Sequence, residues 1–370
     1  MSALSRPRAR DIGIVIGQIS TGPNNSITDV PGVKVGHCTL IKGEGKLVPG
    51  KGPVRTGVTV IIPGVDNPFK LKLRAASYVI NGFGKPIGLM QLNELGQLET
   101  PIALTNTLNV GIVADAIIEY MLNLNPDIGV TTGTVNPVVL ECNDSYLNDI
   151  RGRHVRHEHV FEAIKSAHGD LVEEGAVGAG TGMSAFEFKG GIGTASRKLP
   201  NKMGGFTIGA LVLSNFGRRE DLVINGVPVG LELRDYMRSK QPQSGGSIVM
   251  IIATDAPLTS RQLLRLAKRA THGLARTGSY SSHGSGDFVV AFTTANKIPH
   301  YPEERVVEEE FLHETQLSPL FKAVVEAVEE AIVNSLLRAV TVVGRDNHVR
   351  YAIPIDKLVD IMVKYGRLRR

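Results

Sequence analysis

The sequence predicts an α/β (α+β) fold with helices packed outside stacked β-sheets, and two kinds of segment carry that expectation. Short apolar runs at Val58 to Ile62, Phe206 to Leu213, Ile248 to Ala253 and Asp287 to Thr293 have the length and branching of buried strands. Around them, residues 110 to 124, 258 to 275 and 319 to 339 repeat apolar residues at helical spacing. A helix with one apolar face must bury it, and a sheet is the surface on offer.

In chain order, residues 1 to 57 read as loop-rich, with turns at Thr21 to Asn25 and Pro31-Gly32 around short β segments. Val58 to Ile62 ends at Pro63-Gly64, and Ile102 to Leu104 is a further short strand. The helix over 110 to 124 presents Val113, Ala116, Ile117, Ile118, Tyr120 and Met121 and stops near Asn125-Pro126. Val138 to Leu140 leads as a strand into the polar group Glu141-Cys142-Asn143-Asp144. Val160, Phe161, Ile164 and Ala167 mark a helix over 157 to 168. Gly175 to Gly205 reads as tight turns, and Phe206 to Leu213 as a strand ending at Asn215. Arg234 to Ser244, with Lys240 and Pro242, reads as an exposed polar linker. Thr259 or Ser260 caps the helix over 258 to 275, and Ser318 caps the next, with Pro319 at its first position. A strand over 340 to 343 and a short helix over 355 to 365 close the chain.

At 370 residues, 42% of them hydrophobic, the chain has ample material for one large domain or two medium ones. Its formal charge of +5 comes to a large extent from its ends: Arg6, Arg8 and Arg10 at one, Lys364, Arg367, Arg369 and Arg370 at the other. Such tails read as solvated ends, and without a basic stripe studded with aromatics no nucleic-acid partner is expected. Cys38 and Cys142 lie far apart and outside any C-x-x-C, so neither a zinc ribbon nor a disulfide framework is expected, and a reducing cytoplasm is the default. Gly13 breaks the apolar start, giving no secretory signal, and no apolar run approaches the roughly 18 residues of a membrane span.

Several motifs fail on spacing. His154, His157 and His159 do not give H-E-x-x-H, which would put two imidazoles on one helical face, so a solvated helix start is preferred to a metal site. Gly180 to Ala185 matches G-x-G-x-x-A but lacks the hydrophobic strand before it and the helix after it that a dinucleotide site needs. No G-x-x-x-x-G-K-[ST] occurs.

Ser247 sits at the mouth of the 248 to 253 strand, after Ser244, Gly245 and Gly246. Neither a G-x-S-x-G elbow nor an S-x-x-K surrounds it. A cut before Ser247 would instead supply its own α-amine as base, with a reference pKa of roughly 7.7 to 8.0. Glycine at 246 fits, because it tolerates the strained backbone from which a hydroxyl reaches the preceding carbonyl. The plainer alternative is a serine that merely starts a core strand.

Five blocks tip this balance: Asn25 to His37, Glu141 to Ile150, Leu211 to Gly217, Gly245 to Leu258 and His283 to Phe288. In that order, over nearly the whole chain, they resemble the self-processing L-aminopeptidase/D-esterase/amidase family that includes the β-peptidyl aminopeptidases. The resemblance implies a single catalytic domain over 1 to 370, a four-layer α-β-β-α sandwich similar in outline to N-terminal nucleophile hydrolases but connected differently. It implies cleavage between Gly246 and Ser247 into chains 1 to 246 and 247 to 370. It implies Ser247 as nucleophile, Asn215 as oxyanion donor, and Ser285 and Asp287 as hydrogen-bonding partners around the nucleophile and its amine. Tyr146 would line the pocket and Glu141 would pair with the substrate's ammonium; some members carry glutamate at the position of Asp287. No metal or organic cofactor is implied, the substrates would be small peptides, amides or esters with a free amine, and the family tends toward tetramers of processed pairs. Two alternatives stand beside it. A related acyltransferase, such as an ornithine acetyltransferase, would carry threonine rather than Ser247, and a binding protein of the same fold would stay uncut.

Overall fold

The computed structural model describes residues 6–237 and 246–368 and lays two β-sheets face to face between two layers of helices. Ser244, Gly245, most of the expected polar linker, and Arg369 and Arg370 lie outside the described residues. The chain runs β1 (Val33–Lys42), β2 (Val54–Pro63), β3 (Leu71–Gly82), α1 (Leu89–Leu95), β4 (Gln97–Leu98), β5 (Ile102–Asn106), α2 (Val110–Leu124), β6 (Val138–Cys142) and α3 (His157–Lys165). It continues through the hairpin β7 (Ser184–Ala185) and β8 (Phe188–Lys189), then β9 (Gly191–Lys198), β10 (Thr207–Asn215), α4 (Val229–Glu232), β11 (Gly246–Thr254), α5 (Ser260–Arg276) and β12 (Ser285–Pro299). The long helix α6 (Ser318–Leu337), the small hairpin β13 (Val342–Val343) and β14 (Val349–Arg350), and α7 (Ile355–Lys364) complete it.

One sheet has the order β1-β2-β5-β6 and the other β4-β3-β12-β11-β10-β9. Only β5 with β6 and β11 with β12 run parallel among the paired strands of these two sheets. Alternation along each strand sends successive side chains to opposite faces. Val249, Ile251 and Ala253 therefore join Leu104 and Leu140 in a core between the sheets. Ile248, Met250 and Ile252 join Leu263, Leu266, Ala327 and Ile332 in a second core under α5 and α6. Val58, Val60 and Val139 meet Val113, Ile117 and Val160 in a third, under α2 and α3. These three cores define the four-layer α-β-β-α sandwich.

The elements differ from expectation where polar residues intervene. β1 is a full strand of 10 residues rather than a short β segment, and β3 was not anticipated at all. The glycine-rich 175 to 205 stretch holds the hairpin β7–β8 and the buried strand β9 as well as turns. The expected strand over 340 to 343 shrinks to Val342–Val343. Thr259 does cap α5, in a reciprocal pair of hydrogen bonds with Gln262. Ser318 is not a cap: α6 already includes it, Leu317 precedes it, and no side chain caps the end. Thr107–Leu124 does reach 18 residues with a mean hydropathy of 1.2, contrary to the sequence reading, but Val113, Ala116, Ile117 and Met121 are spent on the third core.

Candidate active site

β10, β11 and β12 end side by side, and this edge of the six-stranded sheet carries four of the expected site residues. Ser247 is the second residue of β11, buried, and directly opposite Asn215 in the antiparallel β10–β11 pair. Its Oγ donates to the Gly246 carbonyl oxygen at 2.7 Å and accepts a long hydrogen bond, 3.4 Å, from the Gly286 N–H. The hydroxyl thus already lies against the carbonyl of the bond before it. Close packing favours glycine at 246: a Cβ there would sit 3.0 Å from Phe216 Cα, a tight approach.

Asn215 is the last residue of β10 and is held at both ends of its amide. Its Oδ1 accepts from the Ser184 N–H at 2.8 Å and its Nδ2 donates to the Asn143 carbonyl at 2.9 Å. These partners fix which way the amide points. Nδ2 carries two hydrogens, one of which goes to Asn143.

Ser285 and Asp287 register against Gly246 and Ile248 in the parallel β11–β12 pair, so they bracket the position of Ser247 in the next strand. Ser285 Oγ donates to Asp287 Oδ1 at 2.5 Å. Burial pushes the Asp287 carboxyl up, while hydrogen bonds from Ser285, Ser281 and the Ile248 N–H draw it back down. Asn81, on β3 beside Asp287, donates Nδ2 to the carbonyls of Ser282 and His283 at 3.2 and 3.1 Å and to that of Ser285, fixing the approach to β12. A cavity of about 140 Å³ opens against Gly246 and Ser285, walled by Phe216, Arg218, Asp221 and the 278 to 282 loop.

Glu141 comes from the other sheet. It is buried near the end of β6, where Oε1 accepts from the Lys85 N–H at 3.0 Å and Oε2 from the Thr107 hydroxyl. Each carboxylate oxygen has a second lone pair, so both can still receive an ammonium. Two residues on, Asn143 touches Asn215, which ties the end of β6 to the end of β10. Tyr146 lies further out: its ring stacks on His348 at 4.7 Å and under the Arg350 guanidinium at 3.6 Å. The Tyr146 carbonyl accepts from His348 Nδ1 at 2.8 Å.

The histidines set aside as metal ligands have other partners. His154 contacts Asp149 at 3.0 Å, His157 contacts Asp115 and Glu119, and the His159 ring accepts from the Arg156 N–H. Thr107, Asn81, Ser184, His348 and Arg350 are contributors the sequence did not reveal. Arg350 meets its partner Ser184 across 166 residues, a separation no local motif reports.

Comparison with known proteins completes the picture. Residues 25–350 match the model of peptidase family S58. The chain belongs to that family. A β-peptidyl aminopeptidase BapA from Sphingosinicella microcystinivorans is 42% identical, over 98% of this chain and 93% of the relative. Among solved structures, the PH0078 protein of Pyrococcus horikoshii superposes with a TM-score of 0.93 at 64% identity, covering 98% of this chain and all of that one. The L-aminopeptidase D-Ala-esterase/amidase of Ochrobactrum anthropi, described as a prototype of the serine aminopeptidases and a variant of the Ntn hydrolase fold, superposes with a TM-score of 0.90 at 37% identity, covering 98% and 100%. This family S58 member is accordingly a hydrolase of the aminopeptidase class, with an Ntn-hydrolase-type sandwich.

Proposed function

We propose that the chain cuts itself between Gly246 and Ser247 and then works as an N-terminal-nucleophile serine aminopeptidase and amidase on small substrates with a free amine. The observation that carries this is the Ser247 hydroxyl resting 2.7 Å from the Gly246 carbonyl oxygen, opposite Asn215. Oγ attacks the Gly246 carbonyl carbon, the C–N bond breaks, and the Ser247 nitrogen takes up the hydroxyl proton. Water then hydrolyses the ester so formed, leaving a carboxylate at 246 and a free amine at 247.

In the mature site that amine, partly neutral near pH 8, removes the proton from Oγ as Oγ attacks the substrate carbonyl. It returns the proton to the leaving amine, and a water repeats the sequence on the acyl-enzyme. The Asn215 amide, register partner of Ser247, donates from Nδ2 to the oxyanion. Ser285 and Asp287, bracketing Ser247, hold the new ammonium between proton transfers. Glu141 receives the substrate's ammonium, a charge-assisted contact that an internal peptide bond cannot make, so action is confined to the amino end. Exposed Val306, Val307 and Phe311 on the segment before α6 support assembly of several copies.

A denaturing gel of the purified protein tests the first step. Two bands, for 1–246 and 247–370, are expected, and Ser247→Ala should give one band at 39.8 kDa and no amidase activity. Efficient cutting of pure Ser247→Ala without added protease would sink the proposal.

A further inference from the structure

We infer that Arg350 is a positioning residue for the reaction, fixing the Asn215 amide through Ser184 while it steadies the Tyr146 ring. The inference rests on the reading of Asn215 as oxyanion donor. Arg350 is buried at the end of the β13–β14 hairpin, and its Nε donates to Ser184 Oγ at 3.0 Å. The Ser184 N–H is in turn the donor that holds Asn215 Oδ1. Loosening that donor removes one of the ties that orient the amide, and a flipped amide would face the oxyanion with an oxygen where a donor is needed.

The hairpin that carries Ser184 does not hold its own shape. Its two turn residues, Phe186 and Glu187, have φ of 49° and 60°, the left-handed region that hairpin turns of this kind usually fill with Asn or Gly. Outside ties keep it there. Arg219 donates to the Phe186 and Glu187 carbonyls, each at 3.0 Å, clamping the tip. Arg350 clamps the base, aided by the Lys189 N–H donating to the Tyr351 carbonyl at 2.8 Å. Arg219 comes from the same part of the chain as the hairpin, but Arg350 and Tyr351 come from beyond Ser247. The same guanidinium lies 3.6 Å from the Tyr146 ring, so one side chain contacts both the support of the amide and the ring that the family resemblance assigns to the pocket.

A double-mutant cycle tests this on the full-length protein, with cutting and the thermal transition checked for every variant. Arg350→Gln should lower kcat on a small amino-acid amide by about ten- to a hundred-fold, the size expected when a catalytic group is displaced by about 1 Å. In an Asn215→Ala background the same substitution should change kcat by less than about two-fold, while any KM change transmitted through Tyr146 persists. An equal loss of kcat in both backgrounds would overturn the inference alone, as would a folded, cut Arg350→Gln protein with the parent's kcat. An Asn215→Ala protein with the parent's kcat would instead remove the oxyanion reading and this inference with it. If Arg350→Gln does not fold, Ser184→Ala carries the same cycle, because it removes only the hydroxyl that Arg350 grips. If a variant stays uncut, the rate of self-cleavage replaces kcat in the cycle.

Discussion

Asn215 and Ser247 are register partners at the ends of neighbouring antiparallel strands, so the amide and the hydroxyl are placed relative to each other by main-chain pairing. Loops are not needed to bring them together. That makes Asn215→Ala a clean test of function. Loss of one preorganised donor should lower kcat by roughly a hundred- to a thousand-fold, about 2.7 to 4 kcal/mol, in protein confirmed as cut and folded. A kcat within a few fold of the parent would leave backbone amides as the oxyanion donors.

Glu141 holds two protein hydrogen bonds, and its remaining lone pairs are the proposed acceptors for the substrate's ammonium. Glu141→Gln keeps the shape and removes the charge, so kcat/KM on free-amine substrates should fall by about ten-fold or more, as for loss of a charge-assisted contact. Acetylating the substrate amine should abolish turnover by the parent. Equal rates on blocked and free substrates would show that Glu141 does not select the amino end.

His37 points the other way, toward stability. Its Nδ1 meets the Thr59 hydroxyl at 2.9 Å, its Nε2 is buried with no hydrogen-bond partner among the described residues, and burial, with a smaller contribution from His168, pushes its pKa from 6.5 down to about 4. The unfolded chain therefore takes up this proton first as pH falls. Stability should decline between about pH 6.5 and 4, and His37→Asn should flatten that part of the profile even if it lowers the plateau. Parallel pH curves for parent and variant in denaturant melts would dismiss the effect.

Arg197 on β9 reaches two carboxylates of α6, Glu326 at 3.1 Å and Glu330 at 2.7 Å, all three buried. Arg197→Met would leave Glu330 to Arg10 at 2.8 Å and Glu326 to the Ile19 N–H and a Lys322 ammonium 3.9 Å away, so Glu326 loses its close cation in the core. A loss of about 3–5 kcal/mol is expected, measured by denaturant unfolding in the uncut Ser247→Ala chain, where unfolding involves one molecule. A loss below about 1 kcal/mol would show that other groups neutralise the pair.

The sequence made some elements plain and hid others for physical reasons. β10 and β11 are buried on both faces, so they appear as unbroken apolar runs. The cap at Thr259 is a local bond and is equally visible. β9 is buried as well and β3 partly so, yet Arg197 and Lys72 interrupt them. Lys72 meets Glu99, 27 residues away, and Arg197 meets Glu326 and Glu330, 129 and 133 away, so the groups that make these charges tolerable are absent from the local window. Ser247, Asn215, Ser285 and Asp287 were legible as strand-end residues in recognisable blocks, and the structure brings them together. Arg350 and Ser184 lie in no such block.

The six-stranded sheet has a consequence for the proposed cut. In the order β4-β3-β12-β11-β10-β9, the two central strands belong to residues after 246 and the outer four to residues before it. A second piece made by that cut would therefore stay wedged inside the first like a tenon in a mortise, with α6 locked to β9 by buried charges. Breaking one covalent bond would free an amine without freeing a fragment. Partners from different molecules should not trade places: two isotopically distinct batches, mixed after cutting, should yield no hybrid pairs by native mass spectrometry until denaturant opens the sheet.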